Sequence, residues 1–219
     1  MDELSVLQRV AVWALPVLLA ITVHEAAHGW VALRLGDKTA MMLGRLTLNP
    51  IKHIDPIGTL LVPGLLLVMG GFIFGWAKPV PVTWENLRNP KRDMAFVALA
   101  GPLSNLLMAL MWAAIMKLGL VLATSGSAEL VALPLIYMGG AGITINLMLM
   151  VLNLLPLPPL DGSRVVSSML PDPLAWQYNQ LERWGLVILL GLMLMGVLGK
   201  ILWPPINYLQ SLLYTMIGL

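Results

Sequence analysis

Between residues 10 and 33 the chain is apolar except for one charged side chain, Glu25, and that acid stands between His24 and His28. A run of this length can cross a bilayer as a helix, the only open-chain form that satisfies its own backbone polar groups inside lipid. Further apolar stretches follow at 57–76, 94–122, 130–155, 184–202 and 206–219. Hydrophobic residues make up 58% of the 219 and charged residues 11%, against about 25% charged in an ordinary soluble domain. These features predict an all-α polytopic membrane protein, a bundle of about four to six helices at about 20 residues per crossing. Residues 1–219 are expected to form a single transmembrane domain with no separate soluble module. A cleavable leader at the start would be cut at or near the histidines, so 10–33 is read as a span.

The chain has no cysteine, which excludes disulfides and thiolate metal sites. Its net charge is only +2, and the basic residues are scattered near helix ends rather than clustered. They are topology markers, not a nucleic-acid surface.

Two shorter segments carry structural expectations. Residues 41–50, MMLGRLTLNP, partly alternate in polarity, with Gly44 available for a turn and Asn49-Pro50 closing the segment. A small β-hairpin or edge strand is predicted there. Residues 57–76 are interrupted by Pro63, Gly64, Gly70, Gly71 and Gly75. If this stretch dipped into the membrane and returned, ten of the thirteen basic residues would share one side: Arg34, Lys38, Arg45, Lys52, Lys78, Arg88, Lys91, Arg92, Arg164 and Arg183. The excess of Lys and Arg in cytoplasmic loops therefore favours a re-entrant segment near the cytoplasmic face.

His24 and His28 are spaced i, i+4 and share a helix face, while Glu25 is turned about 100° away. Two imidazoles on one face can grip a divalent ion, and a neighbouring carboxylate can act on water bound to it. At about 1.5 Å per residue, His24 lies about 15 Å and His28 about 9 Å from Arg34, submerged but close to the cytoplasmic end. A catalytic zinc takes three protein ligands and keeps one position open for water. Asp161 is the best candidate for the third ligand. It follows Pro156, Pro158 and Pro159, which forbid regular helix, and precedes Gly162, which is available for a turn. An ionisable side chain at such depth is costly unless it is paired or coordinating. His53, in a polar segment near the surface, is expected to support or gate the site, not to ligate.

Three motifs in order, HEAAH at 24–28, AGPLSN at 100–105 and NLLPLPPLDG at 153–162, resemble the site-2 proteases, the intramembrane zinc metalloproteases. The resemblance covers most of the chain and is nearest to compact bacterial members without PDZ or CBS domains. It extends through Leu48-Asn49-Pro50 and His53-Ile54-Asp55-Pro56, while the apolar stretch at 57–76 departs from the simplest family core. It implies one Zn2+ per chain held by His24, His28 and Asp161, with Glu25 as the catalytic carboxylate and Asn105 and Asn153 close by. It also implies a multi-pass protein of the cell membrane, its active site near the cytoplasmic side, acting on transmembrane segments of other proteins. An exposed edge at 44–49 would hold such a substrate extended by β-augmentation. The alternative reading, a zinc-binding membrane transporter or inactive scaffold, calls for polar residues along a path. Between the motifs the spans contain Lys117 and little else charged. The AG-x-x-x-N spacing of 100–105 recurs at 141–146, and no role is assigned to it.

Overall fold

Runs of apolar residues with few turn signals make long helices, and the computed structural model describes residues 5–56, 58, 77–125 and 129–219. Three long helices dominate: α1, Val6–Arg34; α2, Pro90–Thr124; and α3, Glu129–Asn153. Four shorter ones follow: α4, Asp161–Met169; α5, Asp172–Asn179; α6, Glu182–Leu194; and α7, Val197–Met216. Local chemistry fixes the starts of the first two. Ser5 and Gln8 exchange side-chain-to-backbone bonds in a capping box at the head of α1. Pro90 occupies the first turn of α2, where its missing N–H costs nothing, and the Asn89 amide donates to Asp93 at 2.8 Å.

α1, α2 and α3 are each long and apolar enough to cross a membrane. Large apolar side chains cover their outer faces, as at Leu107 on α2, 68% exposed, and Leu130 on α3, 92% exposed. Apolar surface on that scale needs lipid or a partner to cover it. Inside, the three helices pack together through small residues, the usual currency of helix contact where no hydrophobic force acts between helices. A Cβ at Gly139 would stand 2.5 Å from Met116, and Gly142 backs directly onto the Trp112 ring. The buried face of α7, Leu198, Leu202, Ile206 and Leu213, closes this core over Trp112, Ile143 and Leu147.

The structure corrects three sequence expectations. No strand occurs among the described residues, so the β-hairpin at 41–50 and its substrate-holding edge are absent. Local bonds displace it. Thr39–Met42 forms a helical turn, Gly44 takes a left-handed φ of 62°, and Pro50–His53 forms a tight 3-10 turn. The Thr47 hydroxyl accepts the Asn49 amide, and the Asn49 side chain accepts the Ile51 amide, leaving little backbone for a ladder. Second, the last two apolar stretches divide differently. The chain bends by 81° between α6 and α7 at Gly196, whose φ is 69°, and then runs as helix through Pro204 and Pro205. Third, Gly162 makes no turn. It sits in the first helical turn of α4, where the absence of a Cβ lets the Leu154 and Leu155 carbonyls press against it. The segment 57–76, apart from Gly58, lies outside the described residues.

One irregular segment positions the site. Residues 77–83 run as a strap without regular structure along the inner face of α1. The Lys78 amide donates to the His53 carbonyl at 2.9 Å, and Arg45 donates to the Lys78 carbonyl at 2.9 Å. Buried Asp37 ties down the other end, accepting from the Thr39 hydroxyl and amide, the Thr83 amide and the Asn86 side chain. Burial acts to raise the Asp37 carboxyl, but these donors outweigh it and hold it below its ordinary value. A carboxyl depressed in the folded state contributes stability that is fully present above its unfolded value and is lost as pH falls from there through the folded one.

Candidate metal centre

His24 and His28 stand one turn apart on α1, and the i, i+4 spacing carries both imidazoles toward α2 and the start of α4. Each ring is anchored through Nδ1. That of His24 meets the Asn105 side-chain oxygen at 2.6 Å, and that of His28 meets the Val97 carbonyl at 2.7 Å. A carbonyl oxygen can only accept, so both Nδ1 atoms carry the proton, and in the neutral rings that metal binding requires the lone pairs stand on the two Nε2 atoms. These nitrogens face each other at 3.1 Å, and the Asp161 Oδ2 lies 3.2 Å from one and 3.4 Å from the other. Asp161 reaches this point from the first residue of α4, which packs on α2.

With both rings neutral, three lone-pair donors converge with no proton among them, and Oδ2 is buried without a hydrogen-bond partner elsewhere. Buried donors so placed repel one another unless a cation lies between them. The spacing fits one. Ligands about 2.0–2.1 Å from a tetrahedral zinc are about 3.3 Å apart, and the three separations of 3.1, 3.2 and 3.4 Å bracket that value. The same three residues are the group able to hold a metal ion among the described residues.

The other residues singled out in the sequence fall in different places. Asn105 touches His24 directly. Glu25 is half-buried, and its Oε2 accepts the Val80 amide of the strap at 2.7 Å. Asn153, the last residue of α3, donates to the Leu149 carbonyl of its own helix. His53 is buried at 2% exposure with its Nε2 on the Thr47 carbonyl, stapling the 47–53 turn rather than joining the metal donors.

Sequence reasoning missed two neighbours. One is Val80, whose amide meets Glu25 and whose side chain packs at Gly29; nothing in a lone backbone N–H can be read from residue type. The other is Gly101. A Cβ there would stand 2.5 Å from both the His24 Cε1 and the His28 Nε2, so α2 presses bare backbone against the imidazoles. An exposed helical Gly→Ala change is ordinarily stabilising, but here the sign reverses. Gly101→Ala is expected to cost about 1–3 kcal/mol through overpacking and to lower zinc content. Gly101→Val is expected to abolish zinc binding, as metal analysis of the purified protein checks.

A chain that aims two imidazoles from a helix of membrane length and one carboxylate from a short neighbouring helix at a single point falls in the class of zinc metalloproteases, and similar proteins carry that name. "Putative zinc metalloprotease YwhC" of Bacillus subtilis is 39% identical over 194 residues, covering 87% of this chain and 83% of that one. "Putative zinc metalloprotease Rip2" of Mycolicibacterium smegmatis is 31% identical over 204 residues, 91% of this chain and 74% of the other. The Rip2 of Mycobacterium tuberculosis H37Rv is 30% identical over 199 residues, 89% and 71% of the two chains. The chain belongs to the site-2 protease family of zinc metalloproteases. No family model matches it, and no solved structure does. Membership makes zinc its metal and a protein its substrate.

Proposed function

We propose that residues 1–219 act as one intramembrane endopeptidase domain, hydrolysing peptide bonds in or near transmembrane segments of other proteins. The convergence of His24, His28 and Asp161 at separations of 3.1–3.4 Å carries this reading, because the two histidines sit partway along a helix of membrane length and Asp161 meets them there from the head of α4. His24, His28 and Asp161 would hold the zinc, leaving a fourth position for water. When bound, the metal lowers the pKa of its water toward neutrality and polarises a carbonyl.

The remaining chemistry belongs to the chain. Glu25 takes a proton from the attacking water, whose oxygen bonds to the scissile carbon. It then returns that proton to the departing amine as the C–N bond breaks. Asn105 and the Val97 carbonyl hold the two rings with Nε2 unprotonated. The Val80 amide orients one oxygen of the Glu25 carboxylate. The ten basic residues that a re-entrant 57–76 would gather on one side support a multi-pass protein whose site opens toward the cytoplasm.

The test is reconstitution of the purified protein in liposomes with a model substrate bearing one transmembrane segment. Cleavage is expected to stop when zinc is chelated and to return when zinc is restored. Cleavage indifferent to chelation would overturn the proposal, as would zinc flux across the liposome with no proteolysis.

A further inference from the structure

Asn105 and Asn146 are both 0% exposed, on α2 and α3, in the part of the molecule where an unsatisfied amide is most costly. They bond to each other. The Asn146 Nδ2 donates to the Gly142 carbonyl at 2.8 Å, and its Oδ1 accepts the Asn105 Nδ2 at 2.9 Å. The same Nδ2 reaches the Ala20 carbonyl at a long 3.3 Å, and the Asn105 Oδ1 meets the His24 Nδ1 at 2.6 Å.

The direction of every bond in this chain is set at its far end. Gly142 offers only an acceptor, so Asn146 must turn its NH2 toward it and its oxygen toward α2. That oxygen requires the NH2 of Asn105, which leaves the Asn105 oxygen for His24, and an acceptor there requires a proton on Nδ1. The lone pair of His24 is thereby placed on Nε2, on the side where Asp161 and His28 converge. Without Asn146, the Asn105 amide is oriented only by the long Ala20 contact and can rotate its NH2 toward the imidazole.

We propose that Asn146 is a positioning residue for the metal centre, acting through Asn105 to fix the tautomer of His24. This rests on the reading of His24 as a zinc ligand. The repeated AG-x-x-x-N pattern at 100–105 and 141–146 then has a physical meaning. Each copy supplies one amide of a relay between neighbouring helices.

Asn146→Leu removes both polar atoms and keeps the branching of the side chain while adding volume. It is expected to weaken zinc binding by folded protein about 10–100-fold, measured by chelator competition, and to shift the visible spectrum of the cobalt-substituted protein. Asn146→Asp is expected to stay within a few-fold of the parent. Burial keeps its carboxyl protonated, and a neutral carboxyl offers the same acceptor and donor. In an Asn105→Leu background, Asn146→Leu is expected to add no further loss. A merely structural asparagine would instead lower the melting temperature and leave the zinc dissociation constant of the folded fraction unchanged. That result overturns the proposal, as does an Asn146→Asp variant as weak as Asn146→Leu.

A variant-independent measurement covers a Leu variant that does not fold. Nitrogen-15 labelling of the parent protein is expected to find the proton of His24 on Nδ1; an unprotonated Nδ1 refutes the proposal. Finally, His24→Ala separates the two layers of the argument. If it binds zinc normally, the ligand reading fails. If it loses zinc while Asn146→Leu keeps it, only the relay fails.

Discussion

Glu25→Gln is expected to keep its zinc and lose its cleavage. The substitution is close to isosteric, and the amide oxygen of Gln can still accept the Val80 N–H that Oε2 accepts at 2.7 Å, so the strap keeps its attachment. His24, His28 and Asp161 are untouched, and zinc stoichiometry should remain that of the parent. What disappears is the capacity to take a proton from water and deliver it to the amine. General acid–base catalysis of this kind contributes about 10²–10⁴-fold in rate, or about 3–5 kcal/mol of barrier. Single-turnover cleavage of a reconstituted substrate, read beside metal analysis of the same preparation, measures both halves. Parental cleavage by the variant would remove Glu25 from the role of base.

Asp161→Ala is expected to act in the opposite sense, removing the metal itself. With two imidazoles remaining, zinc affinity should fall by more than the roughly 10–100-fold that loss of an outer partner costs. Metal analysis, with a thermal melt in detergent with and without chelator, reads the loss: the parent should melt lower when zinc is chelated, and the variant should not respond. Undiminished zinc in Asp161→Ala would discard the third ligand.

The three long helices were legible because lipid leaves the chain few options. An apolar run the length of 10–33 or 94–122 has no soluble alternative, and the structure has helices Val6–Arg34 and Pro90–Thr124 there. Asp161 was legible for a related reason, since a carboxylate after three prolines at the end of a span needs a purpose. The turn at 44–49 was misread because alternation was weighed without the short-range bonds of Thr47 and Asn49, which compete for the same amides. The break between the last two helices was placed at Pro204-Pro205 because proline is the stronger signal by type. The backbone turned at Gly196 instead, the residue free to adopt a φ of 69°. Asn146 and Val80 act through an orientation and a backbone amide, and neither leaves a mark in residue spacing that chemistry alone can rank.

The bare backbone of Gly101 gives the centre a blind wall. Nothing as small as a methyl group fits between α2 and the imidazole edges, so neither water nor a peptide can approach from that flank. Among the described residues, the centre is otherwise flanked by α1, by the strap at Glu25 and by the head of α4. A synthetic inhibitor built on a zinc-binding group should therefore gain no affinity from bulk aimed at α2.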